Sequence, residues 1–373
     1  MIPVFDPEIG DDEINEVVKA LKAGEISGSF GNYIPEFENM FAEFVGCKYG
    51  VAVTSGTTAL HLAIAALDLK PQDEVLMSSS TNIATALAVY HNGSVVIPVD
   101  SEPRTWNIDT DLIESQITER TKAIIPVHLF GHPVKMDALM KIADKYKLNV
   151  IEDCAESHGA TWLGKKTGSF GHSACFSFYA NKIITTGEGG MITTNDKVLA
   201  DKYKYLRNLA FGKPRFYHYM AGYNFRMTGY QAAMGVAQTR KISRIIDDKR
   251  NVAKNYLKYL SNLQEFLQLP VEEDGALNVY WMFGIVLKES LKLSKDEMID
   301  ELQKRGIESR SFFCPMNRQP FIIEKFKNKL SETPVADRLW ERGIYLPSSN
   351  KLSEEQIKFI CMNIWEIIES NSR

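Results

Sequence analysis

Two side chains near the middle of the chain have types and positions that suit covalent chemistry. Lys182 follows the run Ser173 to Tyr179 and precedes Thr185-Thr186-Gly187-Glu188-Gly189-Gly190, while Asp153 closes the earlier run Leu148-Asn149-Val150-Ile151-Glu152. A primary amine can condense with an aldehyde, exchange it for another amine, and then move a proton. A carboxylate at the carboxyl end of a parallel strand stands where open α/β sheets bind ligands, and there it can keep a pyridine nitrogen protonated. The pair suits the ring of pyridoxal phosphate, over which negative charge formed on a substrate carbon is delocalised. A lysine taken alone is far more often a solvated surface charge. The assignment of Lys182 therefore rests on its surroundings, including glycines that permit a tight turn and close approach to a ligand.

An anion site is legible upstream. Thr54-Ser55-Gly56-Thr57-Thr58 joins the strand-like Val51-Ala52-Val53-Thr54 to an apolar helix, so unpaired backbone donors and hydroxyls meet at a helix N-terminus. A plain serine or threonine cap with a glycine turn explains the same residues without a ligand. The glycine spacing matches neither a dinucleotide fingerprint nor a nucleoside-triphosphate loop. Ser177, two positions after Cys175 on a strand, can point a further hydroxyl at the same anion, or can be bonded to its own backbone. Glu156 and His158 both lie where they can bond a ring hydroxyl or pack beside the ring, and a helix cap explains Glu156 equally well.

The elements that must position these groups follow from periodicity. From about Gly50 to Thr194, short β-like runs alternate with amphipathic helical ones, the pattern of right-handed crossovers on a mainly parallel sheet. The expected strands are 51–54, 74–77, 95–99, 122–127 and 149–151, with helices over 58–69, through 84–89 and around Met136, Leu139 and Ile142. Beyond Arg240 the texture changes to longer charged helical stretches, with Ile242, Ile245, Val252, Tyr256 and Leu260 near helical spacing. A large unit over 1–240 and a smaller α+β unit over 241–373 are expected. The smaller one carries an extended run at 280–287, a helix over 296–304, a strand near 308–312 and a last helix over 354–368.

Composition narrows the function class. The chain has 373 residues, 45% hydrophobic and 24% charged, which suits a large core and two domains. A net charge of −4 without a basic stripe argues against a nucleic-acid partner. No apolar run reaches the ~18 residues needed to cross a bilayer, and the first residues lack the plan of an export signal, so the cytoplasm is the expected compartment and no membrane partner is expected. The five cysteines are scattered without metal-ligand spacing and read as free thiols, with no metal site. Cys154 beside Asp153 reads as a small packed thiol in preference to a nucleophile.

Taken together, Gly56-Thr57-Thr58-Ala59-Leu60-His61, Glu152-Asp153-Cys154-Ala155-Glu156, Phe176-Ser177-Phe178 with Asn181-Lys182, and Thr185 to Met191 resemble the DegT/DnrJ/EryC1/StrS family of pyridoxal-phosphate-dependent nucleotide-sugar aminotransferases. The resemblance runs through almost the whole chain and is strongest from Ser55 to Asp196. It implies fold type I, an α/β architecture with a mainly parallel seven-stranded sheet between helices and a smaller C-terminal α+β domain. It also implies that Thr57, Thr58 and Ser177 contact the phosphate, that Asp153 pairs with the pyridinium nitrogen, that Glu156 lies near the cofactor and that Lys182 is the Schiff-base lysine. Asn224 is implied to reach across a homodimer interface to the partner's phosphate, with Arg226 in the same loop, and Arg226 and Arg310 are implied substrate contacts. The implied reaction carries an amino group from L-glutamate through pyridoxal 5'-phosphate to a nucleotide-linked 4-keto-6-deoxy sugar. Many members place an aromatic residue over the ring where this chain has Asn82, so a polar contact is expected there. Related dehydratases carry histidine in place of the lysine, and Lys182 therefore points to amino transfer.

Overall fold

A computed structural model describes residues 1–371 and builds the large unit on one seven-stranded sheet. Its strands are β1 (Tyr49–Val53), β2 (Glu74–Ser78), β3 (Val95–Val99), β4 (Thr121–Ile125), β5 (Asn149–Asp153), β6 (Ser173–Ser177) and β7 (Gly190–Thr194), in the order β1-β7-β6-β5-β4-β2-β3. Strands β3, β2, β4, β5 and β6 run parallel to their neighbours, and β7 is antiparallel to both β6 and β1. Every residue of β2, β3, β6 and β7 is buried, as expected for strands covered by helices on both faces.

Register decides which side chains meet at the carboxyl edge. Asp153 pairs with Cys175, and Ser177 and Val53 both pair with Gly190, so the ends of β5, β6 and β1 lie side by side. The helix Gly56–Ala65 leaves β1 at this edge and is buried on several sides, with Ala59, Leu60, Leu62, Ala63 and Ile64 all shielded. It starts two residues earlier than periodicity suggests because Ser55 is its cap. It also stops earlier, because Asp68 adopts a left-handed conformation (φ 51°) that turns the chain toward β2.

The C-terminal sheet has β8 (Leu267–Gln268), β9 (Phe283–Leu287), β10 (Arg310–Ser311) and β11 (Gly343–Leu346) in the antiparallel order β8-β9-β11-β10. The extended run expected over 280–287 begins as a strand only at Phe283. Tyr280 has φ 47°, which bends Trp281 and Met282 away from the ladder. The helix Ile242–Leu260 joins two cores: Ile242, Ile245 and Ile246 pack with Phe37 and Phe41, whereas Val252, Tyr256 and Leu260 pack with β9 and the terminal helix Glu354–Asn371. No helix of the described residues is long and apolar enough to cross a membrane.

Candidate active site

A cavity of about 320 Å³ opens at the carboxyl edge of the large sheet, bounded on its other side by Trp281, Arg310, Phe313 and Tyr345 of the C-terminal unit. One end is the first turn of the Gly56–Ala65 helix. Ser55 Oγ accepts from Thr58 N at 3.1 Å, while Thr58 Oγ1 accepts from Ser55 N at 3.0 Å and donates to Ser55 O at 2.9 Å. This reciprocal cap turns the Thr58 hydroxyl away from the cavity, so Thr58 shapes the turn while Ser55, Gly56, Thr57 and Ser177 line it. A Cβ on Gly56 would lie 2.7 Å from Ser177 Cβ, so only glycine lets the end of β6 approach the helix start.

Asp153 also lines the cavity. Neighbouring strand residues face opposite ways, so Glu152 points to the other side of the sheet, where it accepts from Gly168, Phe170 and Gly171 N at 2.8 Å and pairs with His128 Nε2 at 3.1 Å. Asp153 is 4% exposed, and its carboxylate accepts from Thr85 Oγ1 at 2.8 Å and from Ala155 N at 3.1 Å. Burial raises its pKa above the usual carboxylate range, opposed by those two bonds and by the charges of Lys182 and His128. Thr81 in turn bonds Thr85 at 2.9 Å. Neither threonine stands out in the sequence; the available signal was a hydroxyl one turn into the helix Ile83–Asn92.

Lys182 sits on the loop between β6 and β7, which is tied to Phe178 by bonds from Thr185 Oγ1 and Thr186 N to the Phe178 carbonyl. Its Nζ lies 4.0 Å from Glu156 Oε1 and 3.8 Å from the centroid of the Trp281 ring. Glu156 is anchored by Phe130 N, which donates to Oε2 at 2.8 Å, and the Trp281 indole N–H donates to Asn181 O at 2.6 Å. Burial favours the neutral form of each partner, lowering Lys182 and raising Glu156 to about 7. A neutral amine is the nucleophilic form. His158, the other candidate beside the ring, is instead enclosed by Phe41, Phe176 and Phe178, and burial holds it at about 3, hence neutral. Trp281 escaped sequence reasoning because one aromatic in an apolar run looks like core.

Asn82 lines the cavity and also caps its helix, Oδ1 accepting from Ala84 N at 3.0 Å. Arg310 reaches the rim from β10, held by Glu308 Oε1 at 2.9 Å from Nη2, and Glu308 is itself anchored by Val4 N at 2.9 Å. Asn224 and Arg226 do not line this cavity. Asn224 is exposed, and Arg226 Nη1 donates to Asn208 Oδ1 at 2.8 Å, on a segment pinned beside the anion turn by the bond from Thr54 N to Phe225 O. All five cysteines are free, and burial raises Cys154 well above the usual thiol range, as for a packed thiol.

Residues 7–365 match the DegT/DnrJ/EryC1/StrS aminotransferase family. The chain is 40% identical over 366 residues to the GDP-perosamine synthase of Escherichia coli O157:H7, covering 98% of each protein. Its fold superposes on the crystal structure of an aminotransferase from Psychrobacter cryohalolentis with a TM-score of 0.91 and 30% identity, over 99% of this chain and 100% of that one. It also superposes on E. coli GDP-4-keto-6-deoxy-D-mannose-3-dehydratase with bound hydrated PLP, with a TM-score of 0.91 and 25% identity over 98% and 99% of the two chains.

Proposed function

Because the chain belongs to the DegT/DnrJ/EryC1/StrS aminotransferase family, we propose that it transfers the amino group of L-glutamate to C4 of GDP-4-keto-6-deoxy-D-mannose, giving GDP-perosamine. The observation that carries this reading is the Lys182 amine, 4.0 Å from Glu156 in a cavity that a helix N-terminus and a buried carboxylate also line. The identity to a GDP-perosamine synthase over 98% of each chain supports the choice of sugar.

The cofactor is pyridoxal 5'-phosphate, and the donor set fits it: hydroxyls and backbone N–H groups at a glycine-cleared helix start, a buried acid, and an amine whose pKa burial lowers. When bound, this group supplies a carbon that carries the amino group and a ring that takes up electron density. Thr57, Ser177 and the first-turn N–H groups hold its phosphate. Asp153, held by Thr85, would keep a proton on the ring nitrogen, and Glu156 would serve the ring hydroxyl. Lys182 takes the proton from the substrate carbon and returns it on the other side of the exchange. Asn82 would meet the ring through its carboxamide, and Arg310 would bind the anionic part of the donor or the nucleotide sugar. Asn224 and Arg226, exposed or turned away from their own cavity, serve the site of a second copy, which makes the working unit a homodimer.

The test is direct. The purified protein with pyridoxal phosphate is expected to show the absorbance of a lysine-bound cofactor, and Lys182→Ala to lose both that band and turnover. Incubation with L-glutamate and GDP-, UDP- or dTDP-linked keto sugars, followed by product identification, decides the substrate. Amination at C3, or of the UDP- or dTDP-linked sugars alone, would refute the proposed sugar while leaving the reaction class intact.

A further inference from the structure

One buried cation lies outside the machinery just described. Lys249, on the helix Ile242–Leu260, is 4% exposed, and its Nζ donates to the carbonyls of Trp281 at 2.6 Å and Ser348 at 2.5 Å. Among the described residues no carboxylate lowers the cost of this burial, and burial brings its pKa down to about 7. On grounds of packing, an apolar side chain would suit the position better, since Val252, Ala253 and Tyr256 around it on the helix are buried apolar or aromatic groups. The amine is placed to join two chain segments. Trp281 precedes β9 and Ser348 follows β11, and two helical turns further along the same face the Tyr256 hydroxyl donates to Pro347 O at 2.8 Å while its ring stacks on Phe283.

The segment that Lys249 grips is the one that covers Lys182. Trp281 is left out of the ladder by the left-handed Tyr280, so its place is not set by strand pairing. It is held at two points instead, by Lys249 on its carbonyl and by Asn181 on its indole N–H, and between them its ring face lies against Lys182 Nζ. An aromatic face attracts a cation through its quadrupole. Trp281 therefore gives the free amine of Lys182 a defined resting place beside Glu156.

We propose that Lys249 is a positioning residue: by holding the Trp281 carbonyl it seats the indole on the Lys182 amine, so that the amine stays at the reacting carbon whenever it is not bonded there. The catalytic consequence rests on Lys182 being the reacting lysine, whereas the contact itself does not depend on the cofactor.

Two readouts on the full-length chain separate this from a merely structural role. In cofactor-stripped protein, acetylation of Lys182 by acetic anhydride, followed by mass spectrometry, reports how well the amine is covered. Trp281→Leu is expected to raise that rate about thirtyfold, the scale of one desolvated cation–π contact. Lys249→Met is expected to raise it comparably, and Lys249→Arg, which keeps donors for both carbonyls, to return it toward the wild-type rate. In the holoenzyme, K249M is expected to lower kcat with little change in KM for the keto sugar, and K249M added to W281L to lower it no further. Wild-type labelling in K249M, or losses in K249M and W281L that multiply, would overturn the proposal. If K249M gives no cooperative melt, Lys249→Gln, which keeps one neutral donor, carries the same cycle with the same outcomes. The labelling arm stands even if no keto sugar is aminated, so failure of the proposed reaction is distinguishable from failure of this inference.

Discussion

The Thr85 hydroxyl donates to Asp153 Oδ2 at 2.8 Å, and because that donor is committed, the neighbouring Thr81 must supply the proton of the 2.9 Å bond between the two threonines. A directed chain of hydroxyls thus ends on the buried acid and favours its charged form against burial. Thr85→Val keeps the shape and removes the donor. A hydrogen bond to a charged group contributes about 1.5–3 kcal/mol, so T85V is expected to weaken cofactor binding about tenfold or more, and Thr85→Ser to restore most of it. Equilibrium titration with pyridoxal phosphate measures this. Unchanged affinity in T85V would show that Asp153 is fixed without the relay.

Glu156 and Lys182 make opposite contributions to the pH dependence of stability in the cofactor-free protein. The folded-state pKa of Glu156 is raised from 4.5 to about 7, so its contribution is fully present below 4.5 and lost as pH rises through about 7. That of Lys182 is lowered, so its contribution is present above 10.5 and lost as pH falls through the lowered value. Glu156→Gln stays neutral throughout and keeps an acceptor for Phe130 N. The melting temperature of E156Q relative to the wild type is therefore expected to climb from pH 4.5 to 7.5. A difference that stays flat over that range would mean that Glu156 ionises in the fold as it does in water.

Much of this site was legible because its residues stand at strand ends. Asp153 and Ser177 close runs whose burial could be read from composition, and Gly56 stands at a strand-to-helix junction, so all three reach one edge once the sheet is mainly parallel. The adjacent Glu152 was separable only through strand alternation. What stayed hidden depends on contacts between distant segments. Trp281 meets Lys182 from 99 positions away in the numbering, on a turn created by the backbone of Tyr280, and nothing local distinguishes it from a core aromatic. The difference between Glu156 and His158 is likewise one of packing, since three phenylalanines enclose the histidine while Glu156 lines the cavity. The reciprocal bonding of the Thr58 hydroxyl with Ser55 was equally invisible.

Asn82 has two roles that substitutions can separate. Its side-chain oxygen caps the helix Ile83–Asn92 at Ala84 N, and the same carboxamide lines the cavity. Losing an asparagine cap costs about 1 kcal/mol, so Asn82→Ala is expected to lower the melting temperature by a few degrees. Asn82→Asp keeps the cap but brings a negative charge to a site that takes a phosphate. It is expected to melt like the wild type and bind pyridoxal phosphate several-fold more weakly. Equal cofactor affinity in N82D would place Asn82 outside the binding surface.

Gly56 is constrained by space and not by conformation, since the atom a side chain would add falls 2.7 Å from Ser177 Cβ and 3.2 Å from Ser177 Cα. In Gly56→Ala either the helix start or the end of β6 must move, and both line the anion end of the cavity. Overpacking of a well-packed site costs about 1–3 kcal/mol, so G56A is expected to melt lower and to lose cofactor affinity together. Adding Ser177→Gly removes the nearest atom and relieves the clash. The double variant is therefore expected to recover stability relative to G56A, but not full affinity, because the Ser177 hydroxyl is gone. Melting curves and cofactor titrations on the four proteins of the cycle, G56A, S177G, the pair and wild type, resolve the two effects. If S177G in the G56A background restored neither stability nor any affinity, close approach between these two residues would not be what demands glycine.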